Sequence, residues 1–422
     1  MSTVLNSTSA LKRGPNGNWF AIAAYAALAA ATQLLWLTFA PITTEAAAFY
    51  GVGEDAINLL SIIFPLLYVV FAIPSGLGLD RWFRHSLLLG GSLTVVGSLI
   101  RIGNTHSYMY ALVGQIVVSV GQPFVLNAVT KLAGDYLPRS QRPTGIAVGS
   151  AGLFVGMLIS FILGAVLGDN IPLLLMIEAG IAVVGMALTV AALMRPGRFA
   201  DDIELGSTET VEAATARPLR TVWADPIMRL LIGVVLVGNG IFVALTTLLQ
   251  QMLAPAGVSA SMAGIMLALM VVGGVIGAVV LPPSAAKRGN QTTWMLIAVS
   301  VVIIGFLALA VTPGNVSGLV VSLLTGFLLM AMLPIVLEMV EQRAGPAAST
   351  ATALVWMAGN GAGVVFSVAI GLVAGNPAVG FVLMAVLMAV TGYPIFLTLH
   401  KKIKVERAAL AGVSPAGGAV DR

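Results

Sequence analysis

The sequence predicts an all-α membrane protein, with twelve transmembrane helices arranged as two pseudo-symmetric six-helix bundles. Three observations carry this. Of 422 residues, 58% are hydrophobic and only 9% charged, against about 25% charged in ordinary soluble chains. The surface must therefore be covered by lipid rather than water. The apolar residues gather into runs of about twenty, enough to cross a hydrocarbon core about 30 Å thick as helices. Short strings also recur between the two halves at a nearly constant offset.

The spans are expected at about 19–42, 57–79, 86–103, 108–132, 143–168 and 171–194 in the first half. In the second they are expected at about 227–252, 259–282, 292–312, 315–338, 349–373 and 376–399. Apolar residues run right round each segment and Gly and Ala are abundant, as in bundled membrane helices rather than surface amphipathic ones. The first span follows Lys12 and Arg13. It is too long for a signal-peptide core and lacks a convincing cleavage site, so it reads as a retained helix. The longest polar stretch, with "ADDIELGSTETVEAATARP", divides six spans from six. The expected layout is a tail at 1–18, a bundle at 19–194, a linker at 195–226, a bundle at 227–400 and a tail at 401–422.

Charge sets the expected orientation. With the N-terminus in the cytoplasm, twenty of the 21 Lys and Arg residues fall in inside segments and only Arg101 falls outside. This is the asymmetry of the positive-inside rule. The first outside loop is acidic, with Glu45, Glu54 and Asp55. Both tails and the 195–225 stretch are therefore expected in the cytoplasm. The absence of cysteine and the Ala/Gly/Val bias suggest a bacterial inner membrane. The basic residues are scattered among short loops, which gives no nucleic-acid footprint.

"QPFVLN" at Gln122 has an echo in "LPIVLE" at Leu333, and "AIPSG" at 72–76 in "VLPPS" at 280–284, at offsets of 211 and 208 residues. Two repeated six-helix halves holding substrate near the midplane are the architecture of the major facilitator fold. The turn between spans two and three reads "SGLGLDRWFRHS". It places Gly76, Asp80, Arg81 and Arg84 in the spacing G-x-x-x-D-R-x-x-R, which resembles the signature loop of the major facilitator superfamily. In that reading Gly76 lets two helices approach, while Asp80 and the arginines latch the halves on the cytoplasmic side. Phe83 stands where the family usually has a small residue. Glu338 and Glu341 are expected as inner-gate partners for Arg139, Arg142 or the Arg81 loop. Gly145, Gly149, Gly152 and Gly156 form a glycine ladder on span five, read as helix packing that lets the halves rock.

Polar residues inside a bilayer are costly and therefore informative. Gln33 and Trp36 share a face of span one, and Gln115 and Gln122 share a face of span four. Asn239 lies on span seven, and Asn360 lies on span eleven within "AGNGAG". No Asp or Glu sits at the middle of these four spans. An aromatic face with amides and no carboxylate suits a cation whose charge is spread over methyl groups, since Trp is the best cation–π partner. The plainer reading is that Trp36 packs and the amides bond across helices.

"WLTFAPITTEAAAFYGV", "LSIIFPLLYVVFAIPSGLGLD", "GQIVVSVGQPFVLN", "LLQQM" and "LPIVLEMVEQ" resemble the feline leukaemia virus subgroup C receptor-type transporters of the same superfamily. The likeness runs from about residue 30 to 375. It implies transport of choline or ethanolamine, with haem as an earlier assignment. It also implies that Trp36 and Gln122 occupy choline-contacting positions. Asn360 stands where that family has a glutamine, and Val243 where it has an aromatic wall. No His or Cys lies at midspan to ligate haem iron.

The expected function is therefore secondary transport of a small organic solute by alternating access, leaning to facilitated diffusion and acting as a monomer in the bilayer. A multidrug or metabolite exporter is the main alternative, although Gly152 is followed by Leu153 rather than by the proline such exporters often carry there. A non-transporting receptor is the other. No metal, cofactor or enzymatic chemistry is expected: there is no H-E-x-x-H or clustered nucleophile, and "GNGAG" lies within a helix without a preceding strand. Glu178 on span six is either a proton relay or a neighbour-bonded structural acid.

Overall fold

The computed structural model describes residues 17–138, 141–195, 197, 222–287, 290–344 and 348–412. These residues contain twelve helices long and apolar enough to cross a membrane. In the first half they are α1 (Trp19–Leu37), α2 (Glu54–Arg81), α3 (Phe83–Gly103), α4 (Tyr108–Leu126), α5 (Arg142–Leu167) and α6 (Ile171–Leu193). In the second they are α7 (Pro226–Leu253), α8 (Ala260–Lys287), α9 (Gln291–Val311), α10 (Asn315–Thr325), α11 (Ala348–Gly371) and α12 (Pro377–Leu387). Helix α10 runs on through a π turn at Gly326–Met330 into Ala331–Ala344, and α12 through a π turn at Met388–Gly392 into Tyr393–Gly412.

Several starts follow from capping chemistry. The Asn18 side chain accepts from the Ala21 N–H at the head of α1, and Asn170 does the same for α6. Asp225 followed by Pro226 opens α7, and Asn376 followed by Pro377 opens α12. In each case an orphan first-turn N–H finds an acceptor, and in α6, α7 and α12 proline occupies a position where no N–H is needed. The outer faces carry bare aliphatic side chains, such as Val166 at 72% exposure, which only a hydrocarbon solvent tolerates in such density.

Helices α1 and α7 occupy the centre, and α7 is buried without a gap from Gly240 to Leu253. The halves meet where α2 packs on α11 and α5 on α8. Their kinship shows in the turns after the first helix of each half. Gly51 (φ 66°) and Gly257 (φ 78°) both adopt the left-handed conformation that glycine enters freely. They lie 206 residues apart, close to the offsets of the sequence echoes.

Three boundaries depart from the sequence expectation. The first span breaks after Leu37 into a 3₁₀ turn at Ala40–Ile42 and a short helix at Thr43–Tyr50, because Pro41 has no N–H to continue the ladder. The fourth ends at Leu126 rather than 132, followed by a short helix at Val129–Tyr136. The last helix continues to Gly412 instead of giving way to a tail at 401. Its Glu406 pairs with Arg343, which also pairs with Asp225. The 1–16 tail and most of the 195–226 linker lie outside the described residues.

Gly76 does not do what its place in the loop motif suggests. Among the described residues a Cβ there would meet nothing within 4 Å, so no described helix approaches it. The close crossing of α3 and α4 falls instead on facing glycines: a Cβ on Gly97 would stand 2.6 Å from the Gly114 carbonyl oxygen, and one on Gly121 2.7 Å from that of Gly90. The ladder on α5 is a packing device, but within one half. Gly152 and Gly156 face the backbone of Ala26 and Ala30 on α1, whereas Gly145 and Gly149 face side chains. The tight contact between halves on α5 is made by Phe161 and Ala165 against Gly264 of α8, with Phe161's carbonyl oxygen 2.8 Å from where a Cβ would sit.

Candidate functional site

Between the halves lies a cavity of about 200 Å³, with α1, α2, α4 and α5 on one side and α7, α10 and α11 on the other. Its polar lining comes from Gln33, Gln122, Asn127, Asn239 and Asn360, with the hydroxyls of Tyr68 and Ser150. No Asp, Glu, Lys, Arg or His is among the described residues that line it.

Trp36 enters this cavity because of a proline. Pro65 within α2 cannot donate to the carbonyl four residues earlier, so Ser61 loses its helical partner. The Trp36 indole N–H donates to that carbonyl oxygen at 2.8 Å. The ring then stacks on Phe64 with centroids 5.0 Å apart and planes 3° from parallel. Both rings line the cavity. From the other half Phe242 and Trp356 contribute rings to the same space.

The other sequence-derived residues divide cleanly. Gln33, Gln122, Asn239, Val243 and Asn360 join Trp36 at the cavity. Gln122 is 3% exposed and its Oε1 has no protein partner, an unfilled acceptor at the cavity wall. Asn360 Nδ2 donates to its own helix at Trp356 O, 2.9 Å away. Gln115 does not line the cavity. It lies two turns further along α4, fully buried with neither amide atom partnered, where α4 runs hard against α3 and a Cβ on Gly114 would stand 2.7 Å from Arg101 Cγ. Sharing a helical face with Gln122 puts it on the same side, not at the same depth.

Phe64, Tyr68, Asn127 and Trp356 are cavity residues that sequence reasoning missed. Tyr68 donates to Asn127 Oδ1 at 2.8 Å and Asn127 Nδ2 donates to Ser75 at 3.0 Å, which ties α2 to the end of α4. The signal was available: Asn127 follows Gln122 in the quoted "QPFVLN", at the point where α4 stops.

Of the expected gate residues, Asp80, Glu338 and Glu341 have side chains outside the described residues. Arg81 lies over the ring of its neighbour Trp82, 4.6 Å from the centroid, and Arg84 is half-buried. The hydrogen bonds seen between the halves, among the described residues, cluster instead at the opposite end. There the Thr44 backbone N–H donates to Gln250 Oε1 at 3.0 Å, while its hydroxyl gives its one proton to Glu54 Oε1 at 2.7 Å. Gln250 reaches Glu45, and Asn58 Nδ2 donates to Gln251 Oε1. The cavity is thus closed towards the Gly51 and Gly257 turns. It extends along Leu126–Val129, Ser150, Leu333 and Trp356 towards the end that carries the start of α1.

Arg101 is not a loop residue. It sits in the last turn of α3, 1% exposed, 3.6 Å from the fully buried carboxylate of Glu178. Of the two readings of Glu178, the geometry is that of a neighbour-bonded acid.

Residues 21–367, well over half of the chain, match the model of the Major Facilitator Superfamily. Solute carrier family 49 member A3 of Xenopus tropicalis is 29% identical over 290 residues, 62% of this chain and 57% of that protein. The chain thus spans less than two thirds of the length of that relative. The human choline/ethanolamine transporter FLVCR2 is 26% identical over 156 residues, 36% of this chain and 30% of that one. Among solved structures, a bacterial homologue of the human lysosomal transporter Spinster, inward-facing and unoccupied, superposes with a TM-score of 0.70 at 14% identity, covering 94% of this chain and 99% of that one. The peptide transporter POT gives 0.72 at 15%, covering 92% and 95%. At such identities these two speak for the fold alone. The chain belongs to the Major Facilitator Superfamily, with twelve helices among its described residues long and apolar enough to cross a membrane.

Proposed function

We propose that the chain carries a small organic cation, of the choline or ethanolamine kind, through the central cavity by alternating access and without proton coupling. The observation that supports this most is the chemistry of the cavity wall, where aromatic rings from both halves and neutral amides meet with no carboxylate among the described lining residues. A desolvated ammonium gains up to about 2 kcal/mol from an indole face. Amide oxygens such as the unpartnered Oε1 of Gln122 supply the remaining dipoles, and Asn360 and Asn239 orient the far end of the solute. The similarity to FLVCR2 adds weight over its 156 residues. Val243 removes one aromatic wall that the family resemblance implies, and Phe242 and Trp356 line the same space.

In this reading Asp80, Arg81, Arg84, Glu338 and Glu341 close the end that the cavity now faces, and that end and both tails lie in the cytoplasm. The carrier works as a monomer. The deciding experiment is a thermal-shift titration of purified protein with choline, ethanolamine, neutral alcohols and lipophilic cations, followed by uptake into proteoliposomes. Stabilisation and uptake specific to choline or ethanolamine support the proposal. Met157, Met330 and Met332 on the wall favour one second reading, an exporter with an adaptable surface. A broad response to bulky lipophilic cations, with none to choline, would replace the first reading with that one.

A further inference from the structure

The buried ion pair lies apart from the cavity, yet every one of its hydrogen bonds ends on the break in α1. The last turn of a helix leaves carbonyls without backbone partners, and α1 stops at Leu37. Arg101 Nη2 donates to the Leu35 carbonyl at 2.8 Å, and Nη1 to Thr38 Oγ1 at 3.0 Å. Thr38 has one proton to give, and its shortest contact is Glu178 Oε2 at 2.7 Å. The threonine therefore accepts from the guanidinium and donates to the carboxylate. Arg101 and Glu178 are 1% and 0% exposed, so among the described residues each charge is compensated by the other and by this helix end, with the Phe39 ring 5.8 Å from the guanidinium carbon. A cation at a helix C-terminus is favourable, and a buried pair is held together because stranding either member is costly.

Trp36 lies between the two anchors, followed only by Leu37. Leu35 is gripped through its carbonyl and Thr38 through its hydroxyl, while the indole itself is fastened to Ser61. We propose that Arg101 and Glu178 are positioning residues for the transport site. Through Thr38 they fix the end of α1 and so the plane in which Trp36 meets the solute. This deepens the reading of Trp36 as a ligand contact and rests on it for its functional consequence.

The test uses two backgrounds: the otherwise unaltered chain for choline affinity, because Trp356 lines the cavity, and for Trp36 emission the full chain with Trp36 as its only tryptophan, the other five of the six being changed to Phe. Into both go Arg101→Gln together with Glu178→Gln, which removes both charges at once and strands neither. Three quantities are read: Trp36 emission and acrylamide quenching without ligand, the thermal midpoint, and the choline dissociation constant. The expected result is a shifted, more quenchable Trp36 and about five- to thirtyfold weaker choline binding, the loss of one cation–π contact. Adding Trp36→Ala should weaken binding no further. Unchanged Trp36 emission and choline affinity with a lowered midpoint would overturn the proposal and leave the pair a purely structural element. A shifted Trp36 in a protein whose parent binds no choline upholds the positioning role and defeats the amine reading. Should the double variant not fold, Thr38→Val removes the relay alone and is expected to move Trp36 in the same direction; if it leaves emission and affinity unchanged, the proposal falls.

Discussion

Replacing Trp36 with phenylalanine keeps an aromatic ring stacked on Phe64 but deletes one N–H. In most helices this would cost little, since a buried carbonyl already has its backbone donor. Here the carbonyl is that of Ser61, and the residue four positions on is Pro65. The substitution therefore leaves a buried acceptor with no donor, at a cost of about 1–3 kcal/mol. With an unfolding entropy of about 2.1 cal/mol/K per residue, a chain of 422 residues should lose on the order of 1–3 °C in midpoint. The second substitution, Pro65→Ala, supplies an N–H at the place where the helix lacks one. Combined with Trp36→Phe it should recover most of the loss, because the carbonyl then has its helical donor again. The assay is a thermal melt in detergent of the parent, both single variants and the double. A Trp36→Phe protein as stable as the parent, or a double variant no better than the single, would refute the account of why Trp36 stands where it does.

Trp36→Ala should weaken choline binding by roughly 1–2 kcal/mol, while Val243→Tyr should tighten it for quaternary amines; ligand titration of folded protein measures both. Gly156→Leu should reduce folded yield on size exclusion, since its side chain would be driven into the Ala30 backbone of α1. Asp225 offers a pH signature. Partial burial works against its ionisation, yet the Ile227 N–H and the Arg343 guanidinium outweigh this and hold its carboxyl below the usual carboxylate range. Its contribution to stability is therefore complete above the unfolded value of about 4 and fades as pH falls through the lower native value. A pH series of melts should show that acid-limb loss shrink in Asp225→Asn. For sidedness, a cysteine replacing Leu372, beyond α11 and 84% exposed, should react with an impermeant thiol reagent in whole cells. One replacing Val405 on the last helix should not.

The number of helices and several polar residues of the cavity wall were legible because membrane insertion is written in local hydropathy, and because amides in apolar runs stand out. Gln33, Trp36, Gln122, Asn239 and Asn360 could be picked by composition alone. Depth could not. Gln115 shares a face with Gln122 yet misses the cavity by two turns, since periodicity gives angle and not the level at which two bundles part. Arg101 read as a loop charge because it is one turn from the end of α3, and its partner Glu178 lies on α6; only packing brings them together. Phe64 and Tyr68 look like any aromatic in an apolar span until Pro65 is seen to hand a carbonyl to Trp36. The closure by Thr44, Asn58, Gln250 and Gln251 is written in residues that the sequence shows, but pairing across more than 190 positions is not a local property.

The cavity wall has an electrical meaning. In the proposed reading, with no acid or base among the described lining residues, a cation would enter without meeting an opposite charge or displacing a proton. Each crossing would then move one elementary charge through the full membrane field. That is worth about 2.3 kcal/mol per 100 mV, close to a fiftyfold concentration ratio at equilibrium. A carrier of this construction needs no second substrate to accumulate an ammonium in a cell whose interior is negative. In proteoliposomes, a potassium diffusion potential alone should set the direction of choline flux.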